Sequence, residues 1–278
     1  MIDIHTHIGR LLLNRPWLTA EKLISAMNKS GIEKSVVLPV ENPEELDYYV
    51  TTEYVLQECS RYRKRLIPFC GIDPRHRYPP KSKLMAFNPF PIIKEYVKCG
   101  CKGVGESLAG IPIDDPMNEA VYDACNRLKL PILIHIDSWI NRDRHGLPGL
   151  EKMASKYKLV KFILHGPGWW KEMSGDSNSD EDYPNGKIIP GGRVGYLLDK
   201  YPNIYGDLSA SSGYNALTRD AEYTVKFLEK NHTKLLFGTD YLAPRQKVPI
   251  VAFIKNIKIS SKTFEAITQK NAIRILNL

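Results

Sequence analysis

Apolar positions recur along the chain in two rhythms. Short runs end or alternate with polar residues at the start (residues 2–7) and at 35–40, 66–72, 102–106, 131–137, 159–165, 204–208 and 234–240, and predict eight strands. Between them, stripes at i, i+3, i+4, i+7 spacing predict helices. Ala20, Leu23, Ile24 and Met27 mark one from about residue 19 to Ser30-Gly31. Val121, Ala124, Cys125 and Leu128 mark another behind the cap Asp115-Pro116, and Val194, Leu197, Leu198 and Tyr201 a third. Asn42-Pro43-Glu44-Glu45 reads as the capped opening of a helix running to about residue 65. Further helices are expected around 91–99, near 150–157, over 217–230 and, as one or two pieces, over 249–276. Residues 171–192 are polar, rich in Gly, Ser and Asp, and read as a long loop, long enough to serve as a lid.

Strands that alternate with helices call for a parallel sheet with crossover connections. Eight such units in about 250 residues fit a closed (β/α)8 barrel, forming a single domain over residues 1–278. A doubly wound open sheet is the alternative, but no glycine-rich nucleotide fingerprint follows the first strand.

Composition narrows this little: 43% hydrophobic and 25% charged residues are ordinary for a globular chain. No apolar run approaches a membrane span and no signal peptide is visible, so a cytoplasmic protein with no membrane partner is expected. The cysteines (Cys59, Cys70, Cys99, Cys101, Cys125) are odd in number and lack a Cys-x-x-Cys pair, as free thiols in a reducing compartment would be. The formal charge of +8 favours anionic partners.

The chemistry is carried by the strand ends. His5 and His7 stand one residue apart at the end of the first strand, where i and i+2 side chains share a face. Taken alone, His-x-His closes many ordinary strands. Glu106 ends the fourth strand, His135 lies near the end of the fifth, His165 ends the sixth and Asp240 the eighth. In a barrel all six face the carboxyl-terminal mouth, where active sites of this architecture sit. Apolar strands that each end in a histidine or carboxylate bury costly polar groups unless something satisfies them, and a metal ion does.

Asp3-Ile4-His5-Thr6-His7, Gly103-Val104-Gly105-Glu106, Ile134-His135, Leu164-His165-Gly166 and Phe237-Gly238-Thr239-Asp240 together resemble the amidohydrolase superfamily, in its amidohydrolase 2 branch of metal-dependent TIM-barrel hydrolases. The resemblance spans the chain, down to the closing Asn271-Ala272-Ile273-Arg274-Ile275-Leu276 segment. It implies that His5 and His7 bind a first divalent metal with Asp240, and that His135 and His165 bind a second where there is one. Glu106 stands where many members carry a bridging carboxylated lysine, and where TatD-type nucleases use a glutamate. Decarboxylase-like members hold one metal through the first-strand histidines, the fifth-strand histidine and the aspartate, with the sixth-strand histidine as base or electrostatic helper. One ion or two therefore stays open, with Glu106 favouring two. Zinc is the first expectation, with manganese, iron and nickel as alternatives. Relatives are frequently dimers, so a homo-oligomer is a further expectation.

The expected chemistry is attack by metal-activated water, with Asp240 as base and His165 as second catalytic group, freed in a one-metal site to hydrogen-bond an oxyanion. The substrate is expected to be a small anionic molecule with an amide, ester or lactone bond. Arg10, Arg15, Arg75, Arg77, Arg142, Arg144, Arg193, Arg219 and Arg245 fall in or near the loops after the strands, and arginine forks suit carboxylate or phosphate. Arg75, Arg144, Trp139 and Trp169 are the candidate substrate contacts, with Trp170 beside them. Non-oxidative decarboxylation of an aromatic or unsaturated acid is the second reading and a TatD-like nuclease the third. Scattered charges without a basic and aromatic groove speak against nucleic acid.

Overall fold

A computed structural model describes residues 1–45, 47–76, 88–177 and 181–278. Arg77 lies outside the described residues. The strands are β1 (Ile2–Thr6), β2 (Lys34–Val37), β3 (Leu66–Pro68), β4 (Val104–Ser107), β5 (Pro131–His135), β6 (Lys161–His165), β7 (Ile204–Asp207) and β8 (Leu235–Leu236). Parallel pairing runs in sequence order from β1 to β3 and from β4 to β8. Two seams close the ring. Cys70 bridges to Val104 between β3 and β4, and Ile4 N–H donates to Phe237 O at 2.9 Å between β8 and β1. The architecture is the expected (β/α)8 barrel.

The helices are α1 (Ala20–Ser30), α2 (Thr52–Ser60), α3 (Phe90–Lys98), α4 (Pro116–Leu128), α5 (Pro148–Lys156), α6 (Pro167–Trp170), α7 (Arg193–Lys200), α8 (Ala210–Thr218), α9 (Ala221–Asn231), α10 (Pro249–Asn256), α11 (Ser261–Glu265) and α12 (Asn271–Leu276). Two expectations need correction. The helix expected over 42–65 is a short turn, Pro43–Glu45, followed by α2, which is capped by Thr51 accepting from Tyr54 N–H at 3.3 Å. Asn42 does not cap it; its Oδ1 accepts from Leu108 N–H at 3.1 Å and ties two loops at the barrel mouth. The helix expected over 217–230 is two helices, because Asp220 caps a new one by accepting from Tyr223 N–H at 3.1 Å. The long polar segment begins with a single turn, Lys171–Met173, before becoming irregular. All five cysteines are free thiols, and only Cys99 is exposed.

Two layers of core follow from strand alternation. Val36, Leu38, Leu133, Ile163, Tyr205 and Leu236 fill the barrel with Ile2 and Ile4, and Ala272, Ile275 and Leu276 of α12 pack against them. The alternate positions, such as Val37, Ile132, Ile134, Phe162 and Leu164, face the helices. On β5, β6 and β7 the alternation is unbroken, so His135, His165 and Asp207 share the inner face with Leu133, Ile163 and Tyr205.

On β1 and β4 it is broken. Asp3 pairs with Ser35 and Thr6 with Val37, so three residue steps on β1 meet two on β2. Val104 pairs with Ile132 and Ser107 with Ile134, the same excess on β4. A bulge of one extra residue re-aims the side chains beyond it. Ile4 and His5, though adjacent, both turn inward, and Glu106 faces inward although Val104, two residues earlier, packs outward.

Candidate metal centre

The six residues singled out from the strand ends meet at one mouth of the barrel. His5 Nε2 lies 3.2 Å from His7 Nε2 and 3.3 Å from Glu106 Oε2. His7 Nε2 is 3.3 Å from the same oxygen, and Asp240 Oδ1 is 3.4 Å from His5 Nε2 and 3.5 Å from His7 Nε2. Tetrahedral ligands at bonds of about 2.0–2.1 Å stand roughly 3.3–3.4 Å apart. The other oxygen of Glu106, Oε1, lies 3.3 Å from His135 Nδ1 and 3.7 Å from His165 Nε2. Glu106 thus stands between two groups of nitrogen donors, one oxygen to each.

The hydrogen bonds around the rings show what these nitrogens need. His5 Nδ1–H donates to Asp207 Oδ2 at 2.7 Å and His7 Nδ1–H to Leu38 O at 3.1 Å. Both acceptors are acceptors only, so in the neutral rings both Nε2 atoms carry lone pairs, and these lone pairs face one another. Ser209 Oγ–H donates to Asp207 Oδ2 at 2.7 Å, leaving its lone pair to accept from His165 Nδ1–H at 2.9 Å. His135 Nε2–H donates to Asp137 Oδ2 at 3.0 Å, which leaves Nδ1 bare toward Glu106. Four imidazoles, when neutral, therefore aim lone pairs at a buried carboxylate. Only cations reconcile that arrangement, and the donor set fits divalent metal.

Electrostatics agree. Burial pulls the His5 and His7 pKa values down, but Glu106 and Asp240 outweigh it and hold both above the usual imidazole range. His135 is likewise opposed by burial yet pushed up to about 10 by Asp137 and Glu106. Burial would raise Glu106 and Asp240; the histidines around them bring both below the ordinary carboxylate range. His165 runs the other way, to about 4, through burial and the charge of His5.

The residues that support these six were not anticipated in that role. Asp207 and Ser209 orient His5 and His165 as described, and Trp170 Nε1–H donates to Asp207 O at 3.0 Å. Gly238 makes room for Asp207: a Cβ there would lie 2.2 Å from Asp207 Oδ1. Asp3, its carboxyl raised by burial to about 7, accepts from Thr239 Oγ1 at 2.7 Å, Thr239 N–H at 3.0 Å and His5 N–H at 3.1 Å. It pins the strand of His5 to the segment of Asp240. Asp207 was within reach of the rule that found the others, since it too is a carboxylate at a strand end.

A cavity of about 330 Å³ opens over the centre, bordered by His7, Glu106, His135, His165 and Asp240. Leu11, Leu12, Val40, Leu108 and Leu242 form its apolar wall, and Tyr183 reaches it from the long loop. The four expected substrate contacts are not on this wall. Arg75 is clamped by Asp73 and Glu44. Arg144 is exposed elsewhere on the surface, and Trp139 is 75% exposed. Trp169, at 0% exposure, belongs to the core. Of the other loop arginines, Arg193 pairs with Glu151, Arg142 donates to Gly110 O at 3.0 Å and Arg10 stacks on Tyr48. Among the described residues, Arg15 is the arginine that borders the cavity.

A (β/α)8 barrel with histidines and carboxylates gathered at the carboxyl ends of its strands defines a class of metal-dependent TIM-barrel enzymes. The amidohydrolase family model matches residues 2–278, and the chain belongs to that family, the amidohydrolase 2 group. No curated protein sequence matches it. Solved structures share the fold at low identity. An uncharacterized TIM-barrel protein from Bordetella bronchiseptica is 14% identical with a TM-score of 0.70, over 100% of this chain and 99% of that one. A probable 2-pyrone-4,6-dicarboxylic acid hydrolase from Acinetobacter baumannii with citric acid bound is 14% identical with a TM-score of 0.64, over 100% and 99%. A 5-carboxyvanillate decarboxylase from Novosphingobium aromaticivorans, with manganese and 3-methoxy-4-hydroxy-5-nitrobenzoic acid, is 14% identical with a TM-score of 0.60, over 100% and 97%. Structures that share this fold thus include a probable hydrolase and a decarboxylase.

Proposed function

We propose that the protein is a metal-dependent hydrolase of an amide, ester or lactone bond in a small anionic molecule. The observation that carries this reading is Glu106, with one oxygen toward His5 and His7 and the other toward His135 and His165. A carboxylate so placed could serve two ions, of which His5, His7 and Asp240 would hold the first and His135 and His165 the second. Imidazole and carboxylate donors suit zinc first, with manganese, iron and nickel as alternatives. Divalent metal bound there supplies Lewis acidity, which makes water nucleophilic near neutral pH and polarises the bond under attack.

The chain's own groups do the rest. Asp240, ionised and bordering the cavity, takes the proton from the attacking water and delivers it to the leaving group. His165 stays neutral with its only N–H on Ser209, so its Nε2 is a ligand or proton acceptor. That favours ligation over the oxyanion-donor role open to it in a one-metal site. The apolar wall keeps water low around the reacting bond, and the cavity suits a small molecule; a nuclease would need a long groove.

Decarboxylation is the second reading, favoured by the manganese-containing decarboxylase of the same fold. Elemental analysis of the purified protein, with assays on carboxylate-bearing amides, esters and lactones and on aromatic acids, separates the two. Two ions per chain and chelator-sensitive hydrolysis are expected. One ion per chain with CO₂ release would replace hydrolysis by decarboxylation.

A further inference from the structure

Glu106 and His135 stand on neighbouring strands, and the ladder that joins β4 to β5 has its last pair at Ser107 and Ile134. Beyond that pair a single side chain carries the connection on. Asn141 Nδ2 donates to Ser107 O at 2.7 Å and to His135 O at 3.0 Å. One carbonyl belongs to the residue after Glu106 and the other to His135 itself, so both hydrogens of the amide are spent on the backbone of these two ligands.

The loop after β5 is folded to deliver that amide. Asp137 Oδ1 accepts from Trp139 N–H and Ile140 N–H, both at 2.6 Å, and closes a turn that brings residue 141 back beside His135. Asn141 is wholly buried with a φ of 41°, in the left-handed region that asparagine tolerates better than most residues. Its own N–H donates to Ala109 O at 2.8 Å, and its Oδ1 accepts from Asn118 Nδ2 of α4 at 3.1 Å. Asn118 Nδ2 also donates to Pro112 O at 2.9 Å, which sets its own orientation. Turned over, the Asn141 amide would present its oxygen to two carbonyls, so the network admits one arrangement.

We infer that Asn141 is a positioning residue for the second ion, holding Glu106 and His135 at the span from which both can ligate it. This rests on the two-ion reading of the centre, and it names what fixes the second half of that centre. Glu106 Oε1 and His135 Nδ1 stand 3.3 Å apart. Ligands must be held to within about 0.5 Å, and two strands past their last ladder pair are free to splay by more than that unless something ties them. His165, the remaining donor on this side, is held separately through Ser209. The first ion leans on the clamp less, because His5, His7 and Asp240 lie across the barrel on β1 and beyond β8.

Stepwise zinc titration of the chelator-stripped protein, in competition with a chromophoric chelator, tests this. The wild-type protein should take two ions. Asn141→Gly, which keeps the left-handed backbone and removes the amide, should weaken the second ion by about 10–100-fold and the first far less. Asn141→Asp, the same shape with oxygens facing both carbonyls, should weaken the second ion at least as much. Asn118→Ala frees the Asn141 amide without removing it and should still weaken the second ion selectively, which decides the matter should both Asn141 variants fail to fold. Equal weakening of the two steps would make Asn141 a merely structural residue and overturn the inference, as would two unaltered steps. A wild-type protein that takes one ion overturns the two-ion reading itself, and the inference with it, before any variant is made.

Discussion

Asp207 accepts the Nδ1–H of His5 at 2.7 Å, and both side chains are wholly buried. The bond fixes which nitrogen of His5 carries the proton and turns the other toward Glu106. Replacing Asp207 by Asn keeps the shape but removes the charge that raises the basicity of the ring. Metal affinity should fall about 10–100-fold with the fold intact. Competition against a chromophoric chelator measures it, and wild-type affinity would remove Asp207 from the centre.

Gly238 and Gly195 should respond in opposite directions to alanine. A Cβ on Gly238 meets Asp207 Oδ1 at 2.2 Å in a closed core, so Gly238→Ala should cost about 1–3 kcal/mol and weaken metal binding too. Gly195, inside α7, has nothing within 4 Å of an added Cβ, and Gly195→Ala should stabilise by about 0.5–1 kcal/mol. Denaturant melts of the two variants report both signs.

Asp240→Asn should lower turnover by at least about 10²-fold while most metal stays bound, because His5, His7 and Glu106 remain in place. Steady-state rates set beside metal content distinguish this from simple loss of the ion. A variant at wild-type rate would show that another group takes the proton.

Glu151 gives a pH dependence far from the centre. Partial burial would raise its carboxyl, but Lys200 at 2.9 Å, Arg193 at 2.5 Å and Tyr201 at 3.0 Å hold it at about 2, below its ordinary 4.5. Between those values the folded protein binds fewer protons than the unfolded chain. The stabilisation is therefore full above about 4.5 and fades as pH falls toward 2. The Tm gap between wild type and Glu151→Gln should shrink over that window; a constant gap would mean the network carries no ionic contribution.

What could be read from the chain, and what could not, follows from the range of the forces involved. His135 and His165 were legible because β5 and β6 keep strict alternation, which is a local property. The strand-end rule also put His5 and Glu106 at the mouth, but it did not reveal the bulges that turn them inward, which exist only against the partner strands. The arginines misled because loop position says nothing of pairing: Arg75 is held by Glu44, thirty-one residues away. Asn42 looked like a cap because Asn-Pro-Glu-Glu is one in isolation; the amide of Leu108, folded over from the fourth strand, competes for the same oxygen. Trp169 and Trp170 carried no mark separating core from wall, and Trp170 holds Asp207 instead of lining the cavity.

The one-residue surplus in β1 and in β4 has a consequence for how this site tolerates change. Substitution at either bulge alters one side chain. Deletion of the surplus residue would restore regular pleating with the pairs on either side unmoved, Asp3 on Ser35 and Thr6 on Val37, or Val104 on Ile132 and Ser107 on Ile134. Loss of Ile4 would keep His5 facing inward, and loss of Gly105 would keep Glu106 there. In these two short segments a shortened strand would give up the surplus position and keep the facing of the ligands beyond it.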